Sequence, residues 1–310
     1  MTAILPAKSV ADRLTTLFWR KPKLLLILLI TPPLLWLGVV YLGSLAALLM
    51  QSFYSIDEFS GMVIPEFTLK TYAELLRPQN YDVIFRTLLM SAAVTLGCAI
   101  LGFPIAYYAA RFARGRWKAV FYLGIMLPLW SSYLVKVYAW KLILAKEGII
   151  TWAAEATHTS GILNAILSLP GIGGGSLSTS YIGMFLVFVY VWLPYMILPM
   201  QASLERVPTS MLEASADLGA TRAQTFRTVI LPLALPGVIA GSIFTFSLTM
   251  GDYIIPQIVG NSANFIGMAV YQLQGTAGNI PLAAAFAVIP ILIMLVYLWI
   301  AKRMGAFDAL

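Results

Sequence analysis

Charge is what this sequence has least of. Asp, Glu, Lys and Arg make up 11% of its 310 residues, against about 25% in an ordinary soluble domain. That deficit excludes a water-soluble globular fold of this length. There is one cysteine, Cys98, so no intramolecular disulfide can form. It lies in an apolar run and reads as a small packing residue. There is one histidine, His158, with no Cys or His neighbour in the sequence, which argues against a metal site. The dipeptide Gly-Lys is absent, so the chain has no GxxxxGK[ST] phosphate loop and cannot hydrolyse ATP by that route. Paired carboxylates, a nucleophile–base pair and a metal-ligand cluster are also missing. No enzyme activity and no cofactor are expected.

What the chain has instead is hydrocarbon: 60% hydrophobic residues and a mean hydropathy of +0.85. Several apolar runs reach the ~20 residues that cross a ~30 Å hydrocarbon core. A backbone in lipid must satisfy its own hydrogen bonds, so these runs are expected to be helices. The strict alternation of a membrane barrel is absent. The net charge of +7 does not indicate nucleic acid, because the basic residues flank apolar runs. Six spans are predicted, at 24–50, 85–110, 119–144, 181–203, 233–257 and 282–301. The first, Leu24–Met50, is too long for the ~7–15-residue core of a secretory signal and is expected to remain as a span.

Basic residues orient the spans. Lys8, Arg13, Arg20, Lys21 and Lys23 precede the first, and Arg111, Arg114, Arg116 and Lys118 follow the second. Arg206, Arg222 and Arg227 follow the fourth, and Lys302 and Arg303 follow the sixth. The positive-inside rule makes this side cytoplasmic, with both termini inside. The expected organisation is a cytoplasmic segment 1–23, an extra N-terminal transmembrane helix 24–50, an outer connection 51–84, a five-span core 85–302 and a tail 303–310. In the outer connection FTLKTYAELLRP suggests a short interfacial helix. Residues 145–180, with GIGGGS, read by composition as a flexible loop.

One polar segment interrupts the apolar pattern on the inner side. Residues 213–232 read EASADLGATRAQTFRTVILP. Pro208 and Thr209 offer a helix start, Glu213 and Asp217 stand one turn apart, and Gly219 interrupts. A helical pattern resumes at Arg222. This predicts two short helices around a glycine turn. Such a hairpin is either a satisfied loop lying on lipid or a knob that fits a cytoplasmic partner. Ala214 and Ser215 permit close approach, Gly219 can take a positive φ, and Glu213 can pair with a basic group.

The segment resembles the signature of ABC-importer permeases: Glu-Ala-Ala, three residues, Gly, nine residues, Ile, one residue, Leu-Pro. Here Glu213, Ala214, Ser215, Gly219, Val229, Leu231 and Pro232 keep every spacing, with Ser for Ala at 215 and Val for Ile at 229. The resemblance implies an all-α type I importer permease fold with a cytoplasmic coupling helix between spans 4 and 5, in loop 204–232. It implies that Glu213, Ala214, Ser215, Asp217 and Gly219 belong to the ATPase-coupling segment. LPLWSSYLVKVYAWKLIL (127–144), VYVWLPYMILPM (189–200) and GDYIIPQIVG (251–260) are similar to the spermidine/putrescine permeases. That similarity implies a bacterial inner membrane, cytoplasmic ATP-binding subunits, a second permease subunit, a periplasmic or extracellular solute-binding protein and a polyamine as solute. Another amine or amino-acid-like solute stays open. A self-contained secondary transporter is the rival reading; it would carry inverted repeats, and none is visible.

Asp252 is the ionisable residue to weigh inside the membrane, since a charge at that depth is expensive. Facing the pathway it can attract a cation, and Tyr190, Trp192, Tyr195 and Tyr253 can offer π faces to an ammonium group. Counting from the outer ends of their spans, Lys136 lies about 13 Å deep and Asp252 about 8 Å deep at 1.5 Å per residue. The depths allow a Lys136–Asp252 contact; a satisfied carboxylate is the alternative. Ser131 and Ser132, close to Pro128, are placed to satisfy freed backbone groups.

Overall fold

Backbone amides in hydrocarbon have no water to bond, and the apolar runs fold accordingly into helices. The computed structural model describes residues 19–57, 59–261 and 264–303. Most of the segment 1–23 and the tail after Arg303 lie outside the described residues, with Lys8 and Arg13 among them.

Among the described residues, five helices are long and apolar enough to cross a membrane: α1 (Pro22–Gln51), α3 (Pro78–Arg111), α8 (Tyr181–Glu205), α10 (Arg222–Gly251) and α13 (Ile280–Arg303). A sixth is counted if α4 (Arg116–Trp130) and α5 (Tyr133–Ile143), which meet at 96°, are taken together as one broken span. The all-α, six-span expectation holds in this form.

The core is built on α8. Its Met184, Val187, Phe188, Val191, Met196, Met200 and Leu204 are buried against Val94, Cys98 and Ala106 of α3 and Ile230 and Ala234 of α10. The α8–α10 approach is closest at Gly237 and Gly241, a small-xxx-small pair. A Cβ on Gly237 would stand 2.6 Å from the Pro199 carbonyl oxygen, and one on Gly241 2.9 Å from that of Met196. Only glycine lets the two backbones meet there.

The first helix, α1, has no buried residue across its most apolar window. Pro32 and Pro33 lie inside it, and the turn that follows, Trp36–Leu42, is wound as a π-helix. The missing proline amides disturb the hydrogen-bond ladder at that point. Its C-terminal end is anchored: buried Ser52 shares a 2.7 Å hydrogen bond with Tyr72. The connection 51–84 holds a two-stranded hairpin, β1 (Ser55–Ile56) against β2 (Val63–Ile64), and the expected short helix as α2 (Lys70–Leu75).

Three expectations are corrected. Residues 145–180 are ordered: α6 (Ile149–Ala156) and α7 (Ser160–Leu167) occupy nearly half of the stretch. The glycines are there for close backbone passage. The Gly174 amide bonds the Leu167 carbonyl at 3.1 Å, and a Cβ on Gly174 would lie 2.6 Å from the Thr179 carbonyl oxygen.

The third span, expected as continuous over 119–144, breaks at Ser131–Ser132, both in extended conformation. The Pro128 carbonyl, left over at the end of α4, accepts from Ser131 Oγ at 2.9 Å and from Lys136 Nζ at 2.6 Å.

The fifth span, expected to reach 257, stops at Gly251; Asp252 is extended (φ −74°, ψ 132°), and a separate short helix, α11 (Ile254–Ile258), follows. After it come α12 (Ile266–Gly275) and α13.

Candidate coupling segment and translocation cavity

The polar segment after α8 folds as its turn chemistry dictates. Helix α9 (Thr209–Asp217) follows Pro208 and contains no buried residue. It ends on Gly219, whose φ is +78°. The Ala220 amide bonds the Ser215 carbonyl at 3.1 Å and the Gly219 amide bonds the Ala216 carbonyl at 2.9 Å. This pair of bonds is a Schellman motif, and glycine supplies the left-handed residue without Cβ strain. Helix α10 then starts with a capping box: Thr221 Oγ1 accepts from the Gln224 amide at 3.3 Å, and Gln224 Oε1 accepts from the Thr221 amide at 2.8 Å. Two helices around a glycine turn are what the sequence pattern predicts.

Glu213, Ala214, Asp217 and Gly219 are exposed, and Leu218 is 87% exposed at the turn. Ser215 is partly buried because its Oγ shares a 2.9 Å hydrogen bond with Thr225 Oγ1, which ties α9 to α10. Met211, Ala214, Ser215, Leu218, Val229 and Pro232 border an open hollow of about 580 Å³. The small residues leave room at its rim.

The segment is tied to the ends of the spans. Arg111 at the end of α3 donates to the Val207 carbonyl at 2.8 Å. Glu205 at the end of α8 accepts from Lys118 of α4 at 2.8 Å and from the Tyr122 hydroxyl at 3.0 Å. Phe226, where α10 begins, packs edge-on against Phe103 of α3 with centroids 5.6 Å apart. Short contacts thus join the stretch that carries α9 to α3, α4, α8 and α10.

The second candidate site lies where the two broken spans meet. Asp252 uses both carboxylate oxygens. Oδ1 accepts from the amides of Ile254 at 2.7 Å and Ile255 at 3.1 Å, and so caps α11. Oδ2 accepts from the Tyr133 hydroxyl, on the first residue of α5. Aspartate competes with the helical ladder through such local bonds, which is why α10 ends one residue earlier. The break is enclosed by α12: a Cβ on Gly267 would lie 2.7 Å from the Asp252 carbonyl oxygen.

Tyr133, Trp192, Ser247, Asp252 and Tyr253 border a cavity of about 320 Å³. The Tyr133 ring stacks on Trp192 with centroids 5.8 Å apart. Tyr195 meets the edge of Trp192 at 5.8 Å, and Tyr253 stacks on Tyr271 at 4.8 Å. Asp252, Tyr253 and Trp192 thus share a wall, with Tyr195 behind it. Tyr190 packs elsewhere, against Trp140 at 5.1 Å.

The Lys136–Asp252 contact is not formed. The break at Ser131–Ser132 turns Lys136 back onto the Pro128 carbonyl, where a cation at a helix C-terminus is favourable. Tyr133 occupies the place beside Asp252 instead. Tyr133 and Ser247 are the polar cavity residues that sequence reasoning missed. The signal for Tyr133 was its position one residue past the Ser131–Ser132 break.

Comparison with known proteins places these features. The profile of the family described as "Binding-protein-dependent transport system inner membrane component" matches residues 80–306. The inner membrane ABC transporter permease protein YdcU of Escherichia coli K12 is 54% identical over 305 residues, covering 98% of this chain and 97% of the relative. The spermidine/putrescine transport system permease protein PotB of Salmonella typhimurium SL1344 is 30% identical over 282 residues, covering 87% of this chain and 91% of the relative. Among solved structures, a bacterial ABC transporter involved in the import of the acidic polysaccharide alginate aligns with a TM-score of 0.69 at 16% identity. That alignment covers 94% of this chain and 98% of the other. A chain of the inward-facing MetNI methionine ABC transporter aligns with a TM-score of 0.54 at 18% identity, covering 74% of this chain and 96% of the other. These two likenesses bear on the fold.

Proposed function

The chain belongs to the family of binding-protein-dependent transport system inner membrane components, and from that premise we propose that it forms half of the pathway of an ATP-driven polyamine importer. Membership makes it a multi-pass, non-catalytic permease subunit of an ABC importer for a small organic solute, with ATP hydrolysis residing elsewhere. The finer reading concerns partners, orientation and solute. Both termini face the cytoplasm, the ATP-binding subunits dock on the segment around Glu213, Ala214, Ser215, Asp217 and Gly219, and a second permease completes the pathway. A solute-binding protein delivers cargo from outside. Binding of ATP draws the 204–232 segments together and rocks the spans; hydrolysis reverses the bias of this two-state equilibrium.

The observation that carries the docking part is the exposed helix α9. No residue on it is buried, it ends on a positive-φ glycine, and Arg111, Glu205 and Phe226 link the segment to the spans. The polyamine part rests on the similarity to a spermidine/putrescine permease and on the carboxylate and aromatic rings of the Asp252 cavity. Ammonium groups over aromatic faces gain about 0.5–2 kcal/mol each.

The test is purification of the tagged chain from native membranes in mild detergent, with mass spectrometry of what accompanies it. A Glu213→Ala, Gly219→Pro double variant is handled alongside. An ATPase and a second permease should accompany the parent chain, and the ATPase should be missing from the variant. A chain that arrives alone and moves solute by itself after reconstitution refutes the reading. For the solute, labelled putrescine or spermidine uptake by the reconstituted complex, absent for both, refutes the polyamine assignment and leaves the docking assignment standing.

A further inference from the structure

A second hollow, of about 500 Å³, lies on the face of α4 between α3 and α8. Its walls include Ile105, Trp117, Val120, Gly124, Leu193 and Ile197, with no ionisable group among the lining residues other than the Tyr190 phenol. It shares no lining residue with the Asp252 cavity. Trp117 is 64% exposed and Val120 53%. Water is a poor occupant of a groove with such walls.

The groove runs toward the end of the molecule that carries the coupling segment. That end is marked by the Lys118–Glu205 ion pair and the Arg111–Val207 bond. Arg116, Val120 and Gly124 recur every four residues along α4 and so stand on one face, the arginine a turn beyond the groove. Arg114 precedes it across Gly115, whose φ is +54°. Both arginines are exposed. Among the described residues neither has an ion pair or a side-chain hydrogen bond, whereas their neighbours Arg111 and Lys118 are both engaged. Glu205 is the acid on the adjoining helix end, and it is committed to Lys118 and Tyr122. Two unpaired guanidinium groups at the mouth of an apolar groove form a matched pair of binding features. One end takes hydrocarbon and the other takes an anion with several oxygens, which guanidinium binds as a fork.

We propose that this groove is a binding site for an anionic phospholipid of the coupling-side leaflet, with an acyl chain along Val120 and Gly124 and the headgroup phosphate on Arg114 and Arg116. The lipid wedges α4 against α3 and α8, on the same helix turns as Lys118 and Tyr122, which hold Glu205. The inference is independent of which solute the transporter carries.

Gly124 makes a clean test possible. A Cβ added there meets nothing within 4 Å, so the Gly124→Leu side chain has open space to enter at the groove. The intact complex is placed in nanodiscs of phosphatidylcholine doped with phosphatidylglycerol, and lipids retained on release are counted by native mass spectrometry. A juxtamembrane arginine contributes about a fivefold preference for an anionic headgroup. The parent should therefore retain phosphatidylglycerol over phosphatidylcholine by roughly 25-fold, falling about fivefold in Arg116→Gln and to near parity in Arg114→Gln, Arg116→Gln. Gly124→Leu should lower retention of both lipids while the subunits stay together. Equal retention of the two lipids by the parent overturns the proposal, as does unchanged phosphatidylglycerol retention in Gly124→Leu. Loss of a co-purifying permease from Gly124→Leu also overturns it, by showing that the groove is a subunit interface.

Discussion

Asp252 should act as the pin that holds α11 at the end of the fifth span, and its removal should free that helix in steps of known size. The Tyr133 hydroxyl donates to Oδ2, and the Ile254 and Ile255 amides donate to Oδ1. A hydrogen bond to a charged group is worth about 1.5–3 kcal/mol net, and a helix cap about 1 kcal/mol. Tyr133→Phe removes the first and should raise the population of released α11 by roughly 10- to 150-fold. Asp252→Ala removes both, a loss of about 2.5–4 kcal/mol, or roughly 60- to 700-fold. Asp252→Asn keeps a capping oxygen and a neutral acceptor for Tyr133, so a loss of about 1 kcal/mol, near fivefold, is expected.

The reporter is a thiol at Val259, which is fully buried just beyond α11. The one native cysteine, Cys98, is also buried and is replaced by alanine for the assay. A water-soluble maleimide should label Val259→Cys slowly in the parent and faster in the order Asp252→Asn, Tyr133→Phe, Asp252→Ala. If Asp252→Ala labels no faster than the parent, the carboxylate does not hold α11 and the reasoning fails. The same Asp252→Asn variant bears on transport: if uptake and assembly are both unchanged, Asp252 is neither a solute contact nor an organiser of the pathway.

The other expectations are local. Gly219→Val places a β-branched residue at φ +78°, a strain of about 1–2 kcal/mol, and should weaken ATPase retention in a pull-down, whereas Gly219→Asn should retain most of it because Asn tolerates that region. Gly241→Leu drives a side chain into the Met196 backbone at 2.9–3.0 Å; overpacking of about 1–3 kcal/mol should lower the melting temperature in detergent, and an unchanged melt would contradict the close α8–α10 approach. Lys136→Met removes one of two donors to the Pro128 carbonyl and should be milder than Lys136→Met combined with Ser131→Ala, read as the rise in protease cleavage at residues 131–132.

How much of this was legible in the sequence depends on the kind of signal. Apolar length fixes where a chain can cross lipid, so 24–50 agrees with Pro22–Gln51 and 282–301 with Ile280–Arg303. Turn chemistry is equally local: Gly219 was expected to take a positive φ, and it does. Hydropathy does not register a change of direction inside an apolar run. The third span was therefore drawn straight through Ser131–Ser132, and the fifth through Asp252, although each break sits on polar residues in an otherwise apolar stretch. The Lys136–Asp252 contact failed for the same reason. Depth along a helix axis predicts a neighbour only if both helices continue, and the 96° turn points Lys136 back at its own helix end.

The two misplaced boundaries lie at one spot in space, since Tyr133 opens the second half of one broken span and bonds the carboxylate at the break of the other. A broken helix exposes backbone groups that lipid cannot satisfy, so a break is tolerated only where protein or a cavity provides partners. Here each break satisfies its own ends, and one bond, from Tyr133 to Asp252, joins the two. Ser131 and Lys136 serve the carbonyl end of α4, while Asp252 serves the amide end of α11 and holds Tyr133. Local sequence preference and the demand for a straight span conflict at this place, and the conflict is resolved by bonding around a cavity. Such conflicts gather at functional sites, and it is this coincidence, more than the charge of Asp252 by itself, that marks the cavity as the candidate site to mutate first.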